Sequence, residues 1–346
     1  MTPLVSILIP AFNAQECVGA ALESAVRQTW PRKEIIVVDD GSTDQTATIA
    51  SRFRKSGVCV VRQEHQGAAA ARNKALSLSQ GDYIQWLDAD DILAADKIAT
   101  QMAAARQRRS PRTLFSSAWG RFLHRYYRAK FTPTGLWRDL SPVEWLLLRM
   151  NQNLYMQTAT WLVSRELTEA AGPWDTRLLA DDDCEYFCRV LLESDGTLFV
   201  PEARVYYRAS GPRSLGYIGR SDKKLNAQWL SINLHIRYLR SLEDSERARA
   251  ASVNFLQSWL IYFYPERLDI VRQAAQLASD LGGRLEAPRF PWAYSLITTA
   301  LGDSGAKHTR LLLANVRWSL HNILDKGLFR IENLGPARIC QNKASS

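Results

Sequence analysis

Short apolar runs alternate with segments of helical periodicity in the first quarter of this chain, and this alternation constrains the fold more than any other feature. The four runs are Leu4–Ile9, Glu34–Val38, Val58–Val61 and Gly81–Leu87. Strands and helices that alternate with short connections form parallel sheets with helices on both faces. We therefore expect an α/β fold with a doubly wound sheet, whose ligand crevice lies outside the carboxyl ends of the strands.

A cluster of carboxylates lies at the predicted crevice. The fourth run leads directly into Asp88, Asp90 and Asp91. Closely spaced carboxylates repel one another unless a cation lies between them, and a hard divalent cation that carries a diphosphate is the natural partner. A solvated acidic turn that caps the next helix is the alternative interpretation.

Other polar residues near the strand ends suit a nucleotide. Phe12 could stack on a base, Asp40 could accept a hydrogen bond from the base or the ribose, and Arg72 could reach a phosphate or a base oxygen. Taken singly, they could equally be a core aromatic, part of a turn and a surface cation. Their common location favours one shared ligand. Neither Gly-x-Gly-x-x-Gly after the first run nor a P-loop occurs, so the two commonest phosphate-binding loops are absent.

Capping patterns predict where two helices begin. Asn13, three residues before Glu16, is the expected N-cap of a helix over residues 14–28. The same pattern at Ser141, with proline at the first helical position, predicts a helix that continues to Met150.

Four motifs of this chain have an order and spacing known from one protein family. They are Val5–Asn13, Val37–Asp44, Ala71–Asn73 and Leu87–Asp91. Together they resemble the family-2 glycosyltransferases, over roughly residues 3–215. The resemblance implies a GT-A fold, a nucleotide-sugar donor (usually a UDP-sugar), a Mg²⁺ or Mn²⁺ ion and inversion at the anomeric carbon. It implies nucleotide contacts from Pro10, Ala11, Phe12, Asn13, Asp39, Asp40 and Arg72, a ribose contact from Asp88, and metal ligation by Asp90 and Asp91.

A second acidic stretch, residues 181–183, follows the turn Gly172–Asp175 and precedes Arg189. It resembles the family's Glu-Asp helix start, and alignment on Arg189 implies that Asp182 and Asp183 are the catalytic pair. A carboxylate at a helix N-terminus can act as general base toward an acceptor hydroxyl. We expect Asp183 to be this base. The additional aspartate before the pair leaves the register open by one residue, and capping of the helix is the alternative role.

Tyr206–Arg208 resembles the strand that returns to the active site in this family. That strand often continues to a histidine that completes the metal site, whereas Ala209–Ser210 follows in this chain. Arg208 or Arg213 could assist the leaving diphosphate or be structural. We expect His65 to have a surface role.

The net charge of +9 is concentrated in two segments. Residues 97–130 carry nine basic and no acidic side chains, and residues 220–346 carry 18 basic and 11 acidic ones. Such segments suit an anionic partner, either a phospholipid surface or a phosphorylated acceptor, although a solvated helix face gives the same pattern. No nucleic-acid-binding motif occurs, so we expect no nucleic acid partner.

Cysteine content and hydropathy bear on the compartment. The five cysteines are odd in number and scattered, which argues for a reducing compartment. The N-terminal residues show no signal-peptide pattern, and no apolar run approaches the ~20 residues that a membrane helix needs. We expect a cytoplasmic protein, with peripheral contact at the inner face of an anionic membrane as an open alternative.

Helical periodicity replaces the family pattern from about Gly219. We expect a GT-A domain at residues 1–218, composed of a nucleotide-binding half (1–96) and an acceptor half (97–218), and a mainly helical domain at 219–346. Within the latter, His308–Arg330 mixes leucines with arginines in a pattern compatible with a helix that lies in the membrane plane. Packing on the catalytic domain is the alternative.

The predicted function is a single sugar transfer, in polysaccharide or glycolipid biosynthesis, from a nucleotide sugar to a glycan or lipid-linked hydroxyl. The Gln-x-x-Arg-Trp signature of processive family members is absent, which favours a non-processive enzyme. Two alternatives remain: a nucleotidyltransferase on a similar sheet, and a non-catalytic binder of nucleotide sugars or glycans. The absent glycine-rich loop disfavours the first, and the second acidic stretch disfavours the second. The sugar, the acceptor and the oligomeric state cannot be read from the sequence.

Overall fold

The computed structural model describes residues 2–108, 110–179, 181–211, 221–288 and 295–332. Its first sheet has the strand order β3-β2-β1-β4-β8, in which β1 to β4 are parallel and β8 pairs antiparallel with β4. The strands are β1 (Val5–Ala11), β2 (Lys33–Asp39), β3 (Val58–Arg62), β4 (Tyr83–Trp86) and β8 (Val163–Ser164). The intervening helices are α1 (Val18–Val26), α2 (Thr46–Arg52) and α3 (Ala68–Leu78). The predicted doubly wound α/β arrangement is confirmed, and β1 is buried along its whole length, as a continuous apolar run requires.

A second sheet, in the order β5-β9-β6-β7, stands beside the first. Its strands are β5 (Ile92–Leu93), β6 (Thr113–Phe122), β7 (Lys130–Phe131) and β9 (Gly196–Arg208). Ile92 pairs with Tyr206 in an antiparallel register. This pairing carries the end of β9 to the carboxylates that follow β4.

Helices surround both sheets in the acceptor half. They are α4 (Lys97–Gln107), α5 (Pro142–Gln152), α6 (Arg165–Ala171) and α7 (Asp182–Glu193), with a 3-10 turn at Thr158–Thr160. The predicted N-cap of α5 is confirmed, because the hydroxyl of Ser141 accepts a hydrogen bond from the Glu144 N–H at 3.3 Å. The second acidic stretch, residues 181–183, lies at the beginning of α7, as expected.

The predicted capping box at Asn13 is wrong. Helix α1 begins at Val18 with Cys17 as its N-cap, and Asn13 has a φ of +46°. The side-chain oxygen of Asn13 instead accepts hydrogen bonds from the backbone N–H of Thr43 at 2.9 Å and from its hydroxyl at 3.2 Å. Asn13 thus joins the loops that follow β1 and β2, a tertiary contact that competes with local capping.

The C-terminal part is helical, as predicted. It consists of α8 (Asp222–Leu242), α9 (Glu246–Phe263), α10 (Leu268–Asp280) and α11 (Ser295–Glu332), and α11 has a kink at Gly302, where φ is +68°. Helices α8 and α9 pack on α5 and α7, so buried residues such as Phe255 and Leu256 belong to the same core as the sheets. The predicted boundary between residues 218 and 219 lies outside the described residues. None of the described helices combines the length and the apolar character needed to cross a bilayer.

Candidate active site

A buried arginine connects the two acidic stretches. Arg72, on α3, donates to Asp88 after β4 at 2.8 Å and to Asp182 at the start of α7 at 2.6 Å. Its guanidinium also lies 4.3 Å from the ring centre of Trp174. Burial alone would lower the pKa of Arg72, but the carboxylates of Asp182 and Asp88 raise it, so the side chain stays charged. Arg72 therefore brings Asp88 and Asp182, which belong to motifs far apart in the sequence, into one cluster of side chains.

A second contact joins α3 to the turn Gly172–Asp175, which precedes α7. The side-chain amide of Asn73 donates to the Trp174 carbonyl at 2.9 Å, and its oxygen accepts from the Trp174 N–H at 2.8 Å. The ring of Trp174 stacks on Tyr186 with centroids 4.1 Å apart. Sequence analysis singled out Ala71–Asn73 and Gly172–Asp175 as motifs. No local pattern indicates that Asn73 and Trp174, 101 residues apart, bind each other.

Asp183 lies in the first turn of α7, partly exposed. Its carboxylate accepts hydrogen bonds from the Thr158 hydroxyl at 3.2 Å and from the Cys184 N–H at 2.8 Å. Burial raises the pKa of Asp183 to about 7, and the neighbouring charges of Asp182 and Asp181 add to this effect. A carboxylate that titrates near neutral pH suits proton transfer.

Asp181 has a different environment from the two aspartates that follow it. It adopts a φ of +59° and accepts hydrogen bonds from Arg149 at 3.4 Å and from the Ser231 hydroxyl of α8 at 2.6 Å. Burial would raise the pKa of Asp181, but the charge of Arg149 outweighs it and holds the pKa below its usual value. Asp181 therefore attaches the N-terminus of α7 to the C-terminal helices.

The carboxylates after β4 also differ from one another. Asp91 is fully buried, and its two oxygens accept from the Gln157 amide and, at 2.8 Å, from the Arg208 N–H. Asp90 is partly exposed, and the Ser210 hydroxyl donates to it at 2.7 Å. Burial, followed by the charge of Asp88, raises the pKa of Asp90 above its usual value. Ser210 thus contacts the carboxylate cluster at the end of β9. Arg208 donates to the Asp90 carbonyl at 2.9 Å, and Arg213 lies outside the described residues.

One group of three potential metal-binding side chains occurs within the described ranges: the ligand atoms of Asp181, Asp183 and Cys184 lie within 4.8 Å of one another. Burial raises the pKa of the Cys184 thiol well above its usual value, so the thiol stays protonated. Arg149 and Ser231 already hold Asp181. We therefore assign no metal to this group.

Asp39 and Asp40, at the end of β2, have opposite surroundings. Asp40 accepts from the N–H groups of Gln66 at 2.9 Å and Gly67 at 2.8 Å, and so caps the entry to α3. Asp39 is fully buried, and neither of its oxygens accepts a hydrogen bond from a described residue. Its nearest cation is Arg62, whose Nε lies 3.3 Å from one carboxylate oxygen.

An aromatic pair lies beside these aspartates. Phe12 is 43% exposed and stacks on His65 with centroids 4.0 Å apart and an interplanar angle of 21°. The Nδ1 atom of His65 is 2.8 Å from Asp40. The predicted contacts Pro10 and Ala11 are buried at the end of β1. Sequence reasoning missed this role of His65, because nothing in its local sequence distinguishes it from a surface histidine.

Comparison with known proteins bears on the same residues. The family model for Glycosyl transferase family 2 matches residues 6–136, which include β1 to β4 and the carboxylates after β4. Residues 6–136 therefore belong to glycosyltransferase family 2. The predicted family is confirmed for this part of the chain.

Two curated relatives match the family-2 region. The Escherichia coli protein named UDP-Glc:alpha-D-GlcNAc-diphosphoundecaprenol beta-1,3-glucosyltransferase WfaP is 42% identical over 100 residues, 29% of this chain and 40% of its own length. Glycosyltransferase GlyG of Streptococcus pneumoniae is 38% identical over 103 residues, 29% of this chain and 34% of its own. The chain thus spans less than half the length of these relatives.

Solved structures extend the likeness to most of the chain. S. aureus TarS 1-349 in complex with UDP-GlcNAc superposes with a TM-score of 0.62 at 18% identity, over 80% of this chain and 80% of that one. A second crystal structure of TarS 1-349 gives a TM-score of 0.61 at 17% identity, with the same coverage. These likenesses confirm the GT-A fold with a helical C-terminal region.

Proposed function

We propose that this family-2 protein is an inverting glycosyltransferase that moves one sugar from a UDP-sugar to a hydroxyl of a glycan or lipid-linked acceptor. The observation that carries the proposal is the bridge of Arg72 between Asp88 and Asp182. Through this bridge the carboxylates suited to a donor diphosphate lie next to Asp183, whose pKa is raised to about 7. A donor site beside a base is what sugar transfer to a hydroxyl requires.

Two features of the chain support a uridine nucleotide as the donor. The stack of Phe12 on His65 offers an exposed aromatic surface for a base. Asp39 offers a carboxylate that lacks a hydrogen-bond donor among the described residues, and a base N–H would supply one. Arg62, whose side chain is 65% exposed, pairs with Asp39 and donates to the Ser42 carbonyl at 3.0 Å, so a base that binds Asp39 would have to share or displace this contact. The name of WfaP, with UDP-Glc, and the TarS complex with UDP-GlcNAc support the same donor class.

Asp39→Ala should weaken UDP binding about 10- to 100-fold, because a hydrogen bond to a charged acceptor contributes about 1.5–3 kcal/mol. The free energy of unfolding should fall by less than about 1 kcal/mol, since the carboxylate makes no hydrogen bond in the described part of the chain and its ion-pair partner there, Arg62, is largely exposed. Isothermal titration with UDP and a urea unfolding curve measure the two effects.

Asp40→Ala is the matched control for this substitution. It removes the acceptor for the Gln66 and Gly67 N–H groups, so the free energy of unfolding should fall by about 1–3 kcal/mol. An Asp39 variant that is destabilised as much as the Asp40 variant, with unchanged UDP affinity, would contradict the assignment of Asp39 to the base.

The carboxylates Asp88 and Asp90 fit a Mg²⁺ or Mn²⁺ ion. Both are hard oxygen donors, and burial, followed by the negative charge of Asp88, raises the pKa of Asp90 even though Arg72 pairs with Asp88 at 2.8 Å. When bound, the ion would offset the charge of the leaving diphosphate. We give Asp91 a supporting role, because Gln157 and the Arg208 N–H already occupy its oxygens.

The proposed reaction uses one proton transfer. Asp183 takes the proton of the acceptor hydroxyl, the acceptor oxygen attacks the anomeric carbon, and UDP leaves from the opposite face, so the configuration inverts. Thr158 orients Asp183, and Asp182 keeps Arg72 in place. The helix N-terminus offsets part of the effect of burial and of the neighbouring carboxylates, which together raise the pKa of Asp183 to about 7.

The acceptor and the compartment are proposed from the relatives and the side chains. The name of WfaP specifies a sugar-diphosphoundecaprenol acceptor, which supports a lipid-linked acceptor here. Cys17, Cys59, Cys184 and Cys188 are free thiols, as expected in a reducing compartment, and Cys340 lies outside the described residues. We infer that the protein works in the cytoplasm at the inner face of the membrane.

A thermal-shift screen tests the donor. UDP and UDP-sugars with Mn²⁺ should raise Tm, because a ligand at 100 times its Kd stabilises the native state by about 2.7 kcal/mol. Matched GDP and dTDP compounds should do so less. Release of UDP only when an acceptor is added then separates a transferase from a binder. Stabilisation by nucleoside triphosphates, with release of pyrophosphate, would instead identify a nucleotidyltransferase.

A further inference from the structure

Helix α11 presents an apolar face to solvent. Between Leu312 and Ile331, eight large aliphatic side chains are 44–66% exposed. At about 100° per residue they occupy roughly 160° of the helix circumference, along about 30 Å of its length. We call these eight side chains the outer face of α11. A contiguous apolar surface of this size on a single helix marks an interaction site.

The polar side of α11 is the side that docks on the protein. Asn322 contacts His124 at 3.0 Å, and Asp325 accepts from Arg125 at 2.8 Å. Trp318 packs against Gly211 so closely that a side chain at position 211 would find no room. The docked side thus carries polar side chains beside Trp318, while the large aliphatic side chains face away from the protein, in contrast to an ordinary surface helix, whose apolar stripe faces the core. Packing on the catalytic domain, the alternative left open by the sequence, accounts for only one side of this helix.

The charges around the outer face are basic. Arg310, Arg317 and Arg330 are exposed and make no ion pair with a described residue. The acidic residues of this part of the helix, Asp325 and Glu332, both pair with Arg125 on the inner side. The outer face therefore combines apolar side chains with unpaired positive charge.

We propose that α11 lies in the plane of an anionic lipid bilayer, with its outer face in the interfacial layer and its arginines on lipid phosphates. An in-plane helix needs an apolar face and a basic rim, and both are present. The helix is not apolar enough to span a bilayer, so attachment is peripheral.

Two other occupants of the outer face fit the chemistry less well. A second copy packed about a two-fold axis would bring the arginine rims of two outer faces together without a carboxylate between them. Residues 333–346 contain only two large aliphatic residues, Leu334 and Ile339, too few to cover eight. An anionic membrane satisfies both the apolar surface and the charge.

The attachment would also orient the crevice. Lys326 lies 3.4 Å from Glu16, which is in the same β1–α1 connection as Phe12. Gly211, against which Trp318 packs, follows Ser210, whose hydroxyl bonds to Asp90. Contacts on both sides of the crevice thus hold α11 at its edge. The consequence that a lipid-linked acceptor would enter from the bilayer rests on the proposed function, whereas the attachment itself does not.

Co-sedimentation of the full chain with vesicles tests the proposal. Binding should be strong with phosphatidylglycerol in phosphatidylcholine, weak with phosphatidylcholine alone, and reduced by salt. The double variant Leu320→Glu/Ile323→Glu should lower the partition coefficient by about tenfold or more, because each side chain leaves the interfacial layer. Arg310→Gln and Arg317→Gln should each lower it about fivefold on anionic vesicles only.

Leu268→Glu is the matched control, because Leu268 is also exposed, by 46%, but lies on α10. It should bind vesicles like the unmutated chain. UDP-dependent stabilisation should be the same in all variants, so that a failure of the attachment can be told from a failure of the proposed function. No sedimentation with anionic vesicles at low salt would overturn the proposal. So would a dimer in light scattering that only Leu320→Glu/Ile323→Glu dissociates.

Discussion

Asp183→Asn should lower turnover by about 10²- to 10⁴-fold while UDP-sugar affinity stays within a factor of two or so. The amide keeps the shape of the carboxylate and an oxygen for the Thr158 hydroxyl, but it cannot take the acceptor's proton. The proposed donor contacts come from β1, β2, β4 and the loops after them, whereas Asp183 lies on α7, so the substitution removes none of them. Single-turnover rates and titration with UDP-sugar measure the two quantities separately.

The pH profile supplies an independent readout of the same group. Because burial raises the pKa of Asp183 to about 7, the carboxyl is protonated below this pH and ionised above it. A general base must be ionised, so kcat/KM of the unmutated enzyme should fall as pH drops through about 7. The residual activity of Asp183→Asn should lack this limb.

Asp182→Asn is the matched control for the register. Asp182 accepts from buried Arg72, so the neutral amide leaves that cation with a weaker partner, and the free energy of unfolding should fall by about 1–3 kcal/mol. Asp183→Asn should not destabilise the fold, because it removes one of three neighbouring negative charges. If Asp182→Asn loses the acidic limb of the pH profile and Asp183→Asn keeps it, the register is off by one residue.

The fold could be predicted from the sequence where a local pattern dominates. Continuous apolar runs identify β1, β2 and β4 because both faces of such strands are buried. Ser141 was predicted as a cap because its partner, Glu144, is three residues away. Asn13 has an equally good local pattern, but Thr43, 30 residues away in sequence, takes its side chain. Tertiary competition of this kind leaves no trace in a window of a few residues.

The sequence predicted which residues lie in the candidate site, but not which of their side-chain oxygens are already held by other residues. Motif resemblance marked both aspartates at the end of β2, yet only the structure distinguishes Asp39, which accepts no hydrogen bond from a described residue, from Asp40, which caps α3. In the same way, Gln157 approaches from 66 residues away to occupy Asp91. The partners that decide which carboxylate is free come from distant elements, so spacing alone cannot identify them.

The direction in which α11 faces was also beyond the sequence. The mixture of leucines and arginines is compatible with a helix buried on the protein or with one lying on a membrane. The choice depends on whether the polar or the apolar stripe finds partners. His124 and Arg125, which follow β6, supply partners for the polar stripe, and that leaves the apolar stripe outside.

Asp90→Asn should reduce Mn²⁺-dependent transfer by at least about 10²-fold and should remove the effect of Mn²⁺ on UDP affinity. The substitution replaces a charged oxygen ligand with a neutral amide, which holds a hard cation poorly. The free energy of unfolding should stay the same or rise, because Asp88 loses a like-charged neighbour. UDP titrations with and without Mn²⁺, on the unmutated chain and the variant, measure the linkage.

Asp91→Asn should show the opposite pattern and is the control. Its carboxylate accepts from both the Gln157 amide and the Arg208 N–H, and an asparagine offers only one oxygen. The free energy of unfolding should therefore fall by about 1–3 kcal/mol, while Mn²⁺ still strengthens UDP binding. Loss of the Mn²⁺ effect in Asp91→Asn but not in Asp90→Asn would transfer the metal to Asp91. Equal UDP affinity with and without Mn²⁺ in the unmutated chain would remove the metal from the mechanism. The charge of the leaving diphosphate would then be offset by basic side chains at the crevice, such as Arg208, which donates to the Asp90 carbonyl.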